Sequence, residues 1–275
     1  MTPKPRSLIM DLFGDYLRYN NGEARLGELT ELLSAFDIEP SSARMTLSRL
    51  KKQGWFETRR EGRETIYTLS ESMLQVLAEG RERIFQRRDS PWDGRWTMVL
   101  YQVPETERAV RESLRKNLSW LGFGQLSSSS WLAAHDLMRE ANELAELYPQ
   151  ASVDIMWTYT DSTAKDKSLA LRCWDLEELA GDYREFIDKY APVEQSRDFE
   201  KATGAAALVM RTTLVADARR FTFRDPRLPL ELQPRDWPGR EAYELFRRLH
   251  AYLGPAARAY VESIIKSSLS AYPPH

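Results

Sequence analysis

Cysteine occurs once, at Cys173, in a chain of 275 residues, so neither an intrachain disulfide nor a cysteine-based zinc site can be assembled. Histidine is nearly as scarce. His135, His250 and His275 are the whole set, a poor basis for a histidine-rich metal centre. No run of about 18 apolar residues exists to span a membrane, and the N-terminal MTPKPRSLIMDLFGDYL has neither a long apolar core nor a small-residue cleavage site. The chain reads as soluble and cytoplasmic. Nucleophile elbow, Walker loop, dinucleotide fingerprint and metal-ligand spacing are all missing. Ser127–Ser130 is a turn by composition and His135 stands where a helix begins, so no catalytic residue, metal or cofactor is expected. Disorder is not expected either, because 42% hydrophobic and 11% aromatic content is ample for packed cores. The length suggests roughly two or three domains.

What is present is a local concentration of charge. The net charge is −2, yet from Pro40 to Arg63 the basic residues Arg44, Arg49, Lys51, Lys52, Arg59, Arg60 and Arg63 face only Glu57 and Glu61. On a helix starting near Ser41, Ala43, Leu47 and Leu50 share one face. The opposite face carries Ser41, Met45, Ser48, Arg49 and Lys52, with Arg44 and Lys51 on the flanks. Gly54 suits a left-handed stop. The segments from Trp55 to Thr58 and from Thr65 to Thr68 then read as two strands around a turn at Arg59-Arg60-Glu61-Gly62-Arg63. Preceded by amphipathic helices over Ser7–Tyr19 and Gly27–Phe36, this is the outline of a winged helix-turn-helix. A fourth helix is expected from an N-cap at Ser70 to about Arg88, with a domain boundary at Asp89-Ser90-Pro91.

Trp96–Val103 is a short apolar run with β-branched and aromatic residues, as in a buried strand. After it come a helix over Glu105–Leu121, two short strands flanking the serine run, a helix over Asp136–Tyr148 and a strand over Val153–Tyr159. The order β-α-β-β-α-β predicts a ferredoxin-like domain, extended or covered by Leu169–Trp174. The remainder is read as helical: Leu176–Tyr190 stopped by Pro192, then Lys201–Thr222, Arg240–Leu253 and Ala256–Ser270, with a Pro-rich loop from Arg224 to Gly239. The fold class expected is α+β multidomain. Residues 1–89 form a winged helix-turn-helix with a linker helix, 90–174 a ferredoxin-like domain and 175–275 a helical C-terminal domain.

Several of these stretches occur together in a known family. LFGDYL, SSARMTLSRLKKQGWFETRREGRETIYTLS, PWDGRWTMVLYQVPE, RKNLSWLGFGQL, CWDLEELAGDYREF and FRDPRLPLELQPRDWPG follow one another in that order. With them the chain resembles the phenylacetate-catabolism repressor (PaaX) family of bacterial transcriptional regulators from about Arg6 to Ser270. The resemblance implies a central domain related in fold to the Cas2 endoribonucleases. It also implies a cytoplasmic homodimer that represses an aromatic-degradation operon and leaves its inverted-repeat operator when an aryl-coenzyme A thioester such as phenylacetyl-coenzyme A binds. Many relatives carry a histidine-containing segment before the Pro-rich loop. Here Leu214–Arg220 stands instead, which leaves the inducer open.

The expected contacts to double-stranded DNA are Ser41, Ser42, Arg44, Met45, Ser48, Arg49 and Lys52 from the helix, and Arg59, Arg60 and Arg63 from the wing. An acyl-coenzyme A needs an apolar slot and cations for its phosphates. Trp120, Phe123, Trp131 and Trp237 are the aromatic candidates, and Arg184, Arg219, Arg220 and Arg224 the cationic ones. An alternative is a Cas2-like, metal-dependent nuclease targeted by the winged helix. Such chemistry places an Asp near the end of the first strand, where this chain has Tyr101-Gln102-Val103. Asp93 and Asp154 lie elsewhere.

Overall fold

In the first eighty-odd residues, apolar side chains at helical spacing build three helices around one core. The computed structural model describes residues 4–85, 91–266 and 268–270. Helix α1 spans Pro5–Asp15, a three-residue strand β1 follows at Glu23–Arg25, then α2 at Leu26–Ser34 and α3 at Pro40–Lys52. Strands β2 (Phe56–Glu61) and β3 (Glu64–Leu69) form a hairpin, and β1 adds to β3, giving the sheet order β1-β3-β2. Helix α4 runs over Glu71–Phe85; the expected end near Arg88 and the boundary residues Asp89 and Ser90 lie outside the described residues. Leu8, Leu12 and Phe13 of α1, Leu29 and Leu32 of α2, Leu47 and Leu50 of α3, and Phe56 and Leu69 of the hairpin are buried together.

The hairpin turn is tighter than the sequence suggests. Glu61 pairs with Glu64, so only Gly62 and Arg63 form the loop, and Arg59 and Arg60 belong to strand β2. Gly62 has a φ of +60°, which fits a two-residue turn with glycine in first place. Composition alone made the charged stretch look like a loop. Strand pairing with Ile66 and Thr65 overrides it.

The chain next builds a four-stranded sheet from β4 (Trp96–Gln102), β5 (Gly124–Gln125), β6 (Ser130–Ala133) and β7 (Ser152–Thr158), in the order β5-β6-β4-β7, all neighbours antiparallel. Helices α5 (Arg108–Leu121) and α6 (Met138–Glu146) supply the two crossovers. This is the expected β-α-β-β-α-β arrangement. Alternation sends Val99, Tyr101, Trp131 and Ala133 towards Leu114 and Leu118 of α5 and Leu144 of α6. It sends Trp96, Met98 and Leu132 to the other face. There they meet Ala170 and Cys173 of helix α7 (Thr163–Cys173), and Leu228 and Leu232 from the Pro-rich loop. Helix α7 is longer than the covering segment expected from Leu169–Trp174. Its first half is polar, with Asp166 turned inward, where it accepts a hydrogen bond from Trp96 Nε1 at 2.8 Å. At Gly124 an added Cβ would come within 2.4 Å of the Trp174 ring, so only glycine fits there.

Three long helices complete the chain: α8 (Leu176–Ser196), α9 (Gly204–Thr222) and α10 (Gly239–Ile265). Pro192, read as a stop, lies inside α8, and Pro255, which falls between the two helices expected over Arg240–Leu253 and Ala256–Ser270, lies inside α10. In α10 the buried stripe Leu245, Phe246, Leu249, Leu253, Ala257, Val261 continues through the proline. Pro255 and Ala251, whose carbonyl it cannot serve, are both exposed residues, so the missing bond falls on the solvent side of the helix. Packing of one continuous apolar face outweighs the local break.

By contacts the chain divides into two compact units, each with its own core. One gathers the N-terminal residues to position 85 with Phe186–Arg220 and the segment from Glu241 onward. The other holds the four-stranded sheet, residues up to Glu185 and Phe221–Arg240.

Inside the first unit lies a charged cluster. Arg211 of α9 donates to Asp15 of α1 at 2.8 Å, both side chains being buried, and its Nε donates to the His250 carbonyl at 3.1 Å. His250 Nε2 is 3.4 Å from the same Asp15 oxygen. One turn earlier on α1, Asp11 pairs with Arg219, which also donates to Ser7 Oγ at 2.8 Å. The two carboxylates are driven apart. Burial pushes both upward, and at Asp11 it prevails over Arg219 and brings the group up to about 6. At Asp15 burial is again the largest single influence, but the Arg211 guanidinium together with His250 and Arg81 more than offsets it and holds the carboxyl well below its usual range. Burial, with the neighbouring arginines, holds His250 below the ordinary imidazole range, against the pull of Asp15.

Asp15→Asn should cost about 3–5 kcal/mol, since it leaves Arg211 buried without its counter-charge, whereas Asp11→Asn should cost less than about 1 kcal/mol. Urea unfolding at pH 7 separates the two. Because Asp11 binds its proton more tightly folded than unfolded, its contribution falls as pH rises from 3.8 to about 6. That decline should vanish in Asp11→Asn, as a pH series of unfolding midpoints would record. In the sheet unit, Trp131→Ala should cost about 3–5 kcal/mol. Trp131→Phe should cost clearly less, because the buried indole N–H has no acceptor to lose.

Candidate nucleic-acid interface

Helix α3 starts on Pro40, whose fixed φ and missing N–H suit the first helical position. Its apolar stripe, Ala43, Leu47 and Leu50, is fully committed to the core against α1 and α2. Register along the helix therefore forces the other residues outward. Ser41, Arg44, Met45, Ser48, Arg49, Lys51 and Lys52 are exposed, Met45 to 71%. Ser42 is half-buried and its carbonyl accepts a hydrogen bond from Thr46 Oγ1 at 2.9 Å. The C-terminus is closed by two backbone bonds, Gly54 N–H to the Lys51 carbonyl at 2.9 Å and Trp55 N–H to the Leu50 carbonyl at 3.1 Å. Gly54 at φ +78° makes this Schellman closure without strain. Arg49, Lys51 and Lys52 occupy the last turn, where the helix dipole favours cations.

The electrostatics of this face are set by what the cations do not touch. Among the described residues Arg44, Arg49, Lys51, Lys52, Arg60 and Arg63 have no carboxylate partner, and all are exposed. Arg60 pairs with Thr65 in register, on the hairpin face that also carries Phe56 and Thr58, while Arg63 sits in the turn. Arg59 differs. Its Nη1 and Nη2 donate to the Glu23 carboxylate of β1 at 2.6 and 3.2 Å.

The aromatic and cationic residues expected to hold an effector are scattered. Phe123 and Trp131 are both buried between the four-stranded sheet and its helices. An aromatic run next to a turn looks accessible in sequence, but strand alternation turns these rings inward. Trp120 is 39% exposed and stacks on Phe223, with ring centroids 5.0 Å apart. Trp237 is half-buried and meets Tyr183 edge-on at 5.7 Å. Arg219 is engaged by Asp11 and Ser7, and Arg224 by Glu178 and Asp182. Arg184 and Arg220 are exposed. Arg219 and Arg220 belong to the first unit, the others to the second. Sequence reasoning missed the buried cluster of Asp11, Asp15, Arg211 and His250. The signal was there in α1, where Asp11 and Asp15 fall at helical spacing beside Leu8 and Leu12.

Comparison with known proteins agrees with this architecture. Three family models match in succession: the PaaX-like protein over residues 4–73, the PaaX protein central Cas2-like domain over 89–170, and the PaaX-like protein C-terminal domain over 174–263. The transcriptional repressor PaaX of Escherichia coli strain K12 is 29% identical over 274 residues, which cover 97% of this chain and 86% of that protein. An uncharacterized protein of Mycobacterium tuberculosis has the same fold, with a TM-score of 0.56 and 24% identity, over 86% of this chain and 89% of that one. With its N-terminal, Cas2-like and C-terminal segments all matched in order, the chain belongs to the PaaX family.

Proposed function

We propose that this protein is a non-enzymatic transcriptional repressor that binds operator DNA through a winged helix-turn-helix and is released by an aryl-coenzyme A thioester. The observation that carries the DNA-binding part is the outward face of α3. Cations crowd it, and among the described residues none of them has a carboxylate partner. A helix of that diameter fits the major groove. Arg44 and Arg49 would then reach base edges, Ser41, Ser42, Ser48 and Lys52 phosphates, and Met45 the apolar edge of a base. Arg60 and Arg63 would contact the backbone or minor groove from the hairpin. Most such contacts position the domain and few of them read sequence.

Membership of the PaaX family and likeness to a protein named as a transcriptional repressor support repression as the output. A homodimer on an inverted repeat is the simplest way for one recognition helix to read a long site. Release requires that the effector bind one dimer geometry more tightly than the other. The stacked Trp120–Phe223 pair is the best remaining aromatic surface for it, and Arg184 the best remaining unpaired cation.

The test is a gel shift on the DNA upstream of the protein's own coding sequence, at several salt concentrations, with and without a panel of aryl-coenzyme A thioesters and their free acids. Binding should weaken steeply with salt, and thioesters but not free acids should release the DNA. Arg44→Ala and Arg49→Ala should each cost about 1–3 kcal/mol of discrimination between operator and mixed-sequence DNA. Unchanged binding in both variants would contradict the assignment of α3.

A further inference from the structure

The three-stranded sheet of the first unit has a second charged face. Strand register places Arg25, Ile66 and Arg59 side by side, with Glu23, Glu57 and Glu61 on the same face. Arg25 is shared among Glu28, Glu61 and Glu64 at 3.3, 3.5 and 2.9 Å. Arg59 is held in two-pronged fashion by Glu23 and lies 3.9 Å from Glu61. These two arginines therefore answer to four glutamates. A phosphate approaching this face meets net negative charge, while one approaching α3, Arg60 and Arg63 meets unpaired cations.

We propose that Glu23 masks Arg59, holding this wing arginine off the DNA backbone and thereby limiting the protein's sequence-independent affinity for DNA. The inference rests on the DNA-binding reading above. Its chemistry is competition for one donor set. The planar guanidinium fork that grips the Glu23 carboxylate is the same fork that would grip a phosphate, so the two exclude each other. Arg59 in turn keeps Glu23 ionised, holding its carboxyl below the ordinary range chiefly through the hydrogen bond between them. Both side chains reach solvent, and pairs so exposed contribute little to folding. Removing the carboxylate thus frees the arginine without dismantling the sheet. An arginine that joins the phosphate contacts tightens all duplex binding alike, because phosphates carry no sequence.

The experiment measures binding of the full-length chain to a mixed-sequence DNA duplex by fluorescence anisotropy across a salt series. Wild type, Glu23→Gln, Arg59→Ala and the double variant are compared, each checked for a cooperative thermal transition. Glu23→Gln should bind several-fold more tightly at low salt, with the slope of log K against log salt steeper by about 0.9. Arg59→Ala should match wild type within about twofold, and the double variant should lose the gain. Unchanged or weaker binding by Glu23→Gln would overturn the proposal, the weaker result meaning that the pair serves to brace the hairpin. A shallower slope in Arg59→Ala would overturn it too, since Arg59 would already be on the DNA. If wild type itself shows no salt-dependent DNA binding, the reading beneath falls, a result distinct from any difference among the variants.

Discussion

Asp15 holds a negative charge where water cannot reach it, and Arg211 makes that tolerable. A carboxylate left alone in such a place would cost several kcal/mol. The first helix of the chain is therefore bound by charge to helices contributed about two hundred residues later, with His250 and the neighbouring Asp11–Arg219 pair beside it. Apolar burial supplies most of the favourable energy in this unit, as Leu8, Leu12, Ala257 and Val261 share one core. Apolar contact is indifferent to register, however, whereas a buried ion pair tolerates only one. A slide of α1 by one turn would exchange Asp11 for Asp15 opposite Arg211.

The same register governs what α3 presents. Its apolar stripe is used up by the core that α1 helps to form, so its remaining residues have nowhere to go but outward. A cationic face on a rigid helix is a consequence of that packing. On the sheet beside it, strand alternation sorts arginines just as strictly. Arg60 has no carboxylate partner among the described residues, and Arg59, one residue earlier, points to the opposite face and into Glu23. Composition sees two adjacent arginines. Geometry makes them chemically different.

Much of the architecture was legible before any coordinates, because it rests on local rules. Helical spacing marked α1, α2, α3, α5 and α6, glycine marked the end of α3, and alternation marked the four-stranded sheet. What stayed illegible depends on partners far away in sequence. Pro192 looks like a stop yet lies within α8, and Pro255 looks like a break between two helices until the buried stripe running past it in α10 is known. The polar first half of α7 hides a helix whose Asp166 is satisfied by Trp96. Phe123 and Trp131 look like a ligand slot until strand direction buries them. Arg219 looks like a cation for a ligand, and only the tertiary fold joins it to Asp11 and brings Arg211 to Asp15.

The central claim is that α3 and the hairpin turn touch DNA while the glutamate-lined face of the sheet does not. Hydrogen exchange of the full-length chain, with and without its own upstream DNA, tests that most directly. Slowed exchange along residues 40–54 and at the turn around Gly62 and Arg63, with β1 unchanged, is the predicted result. Protection confined to the four-stranded sheet and its helices, with α3 unaffected, would contradict it.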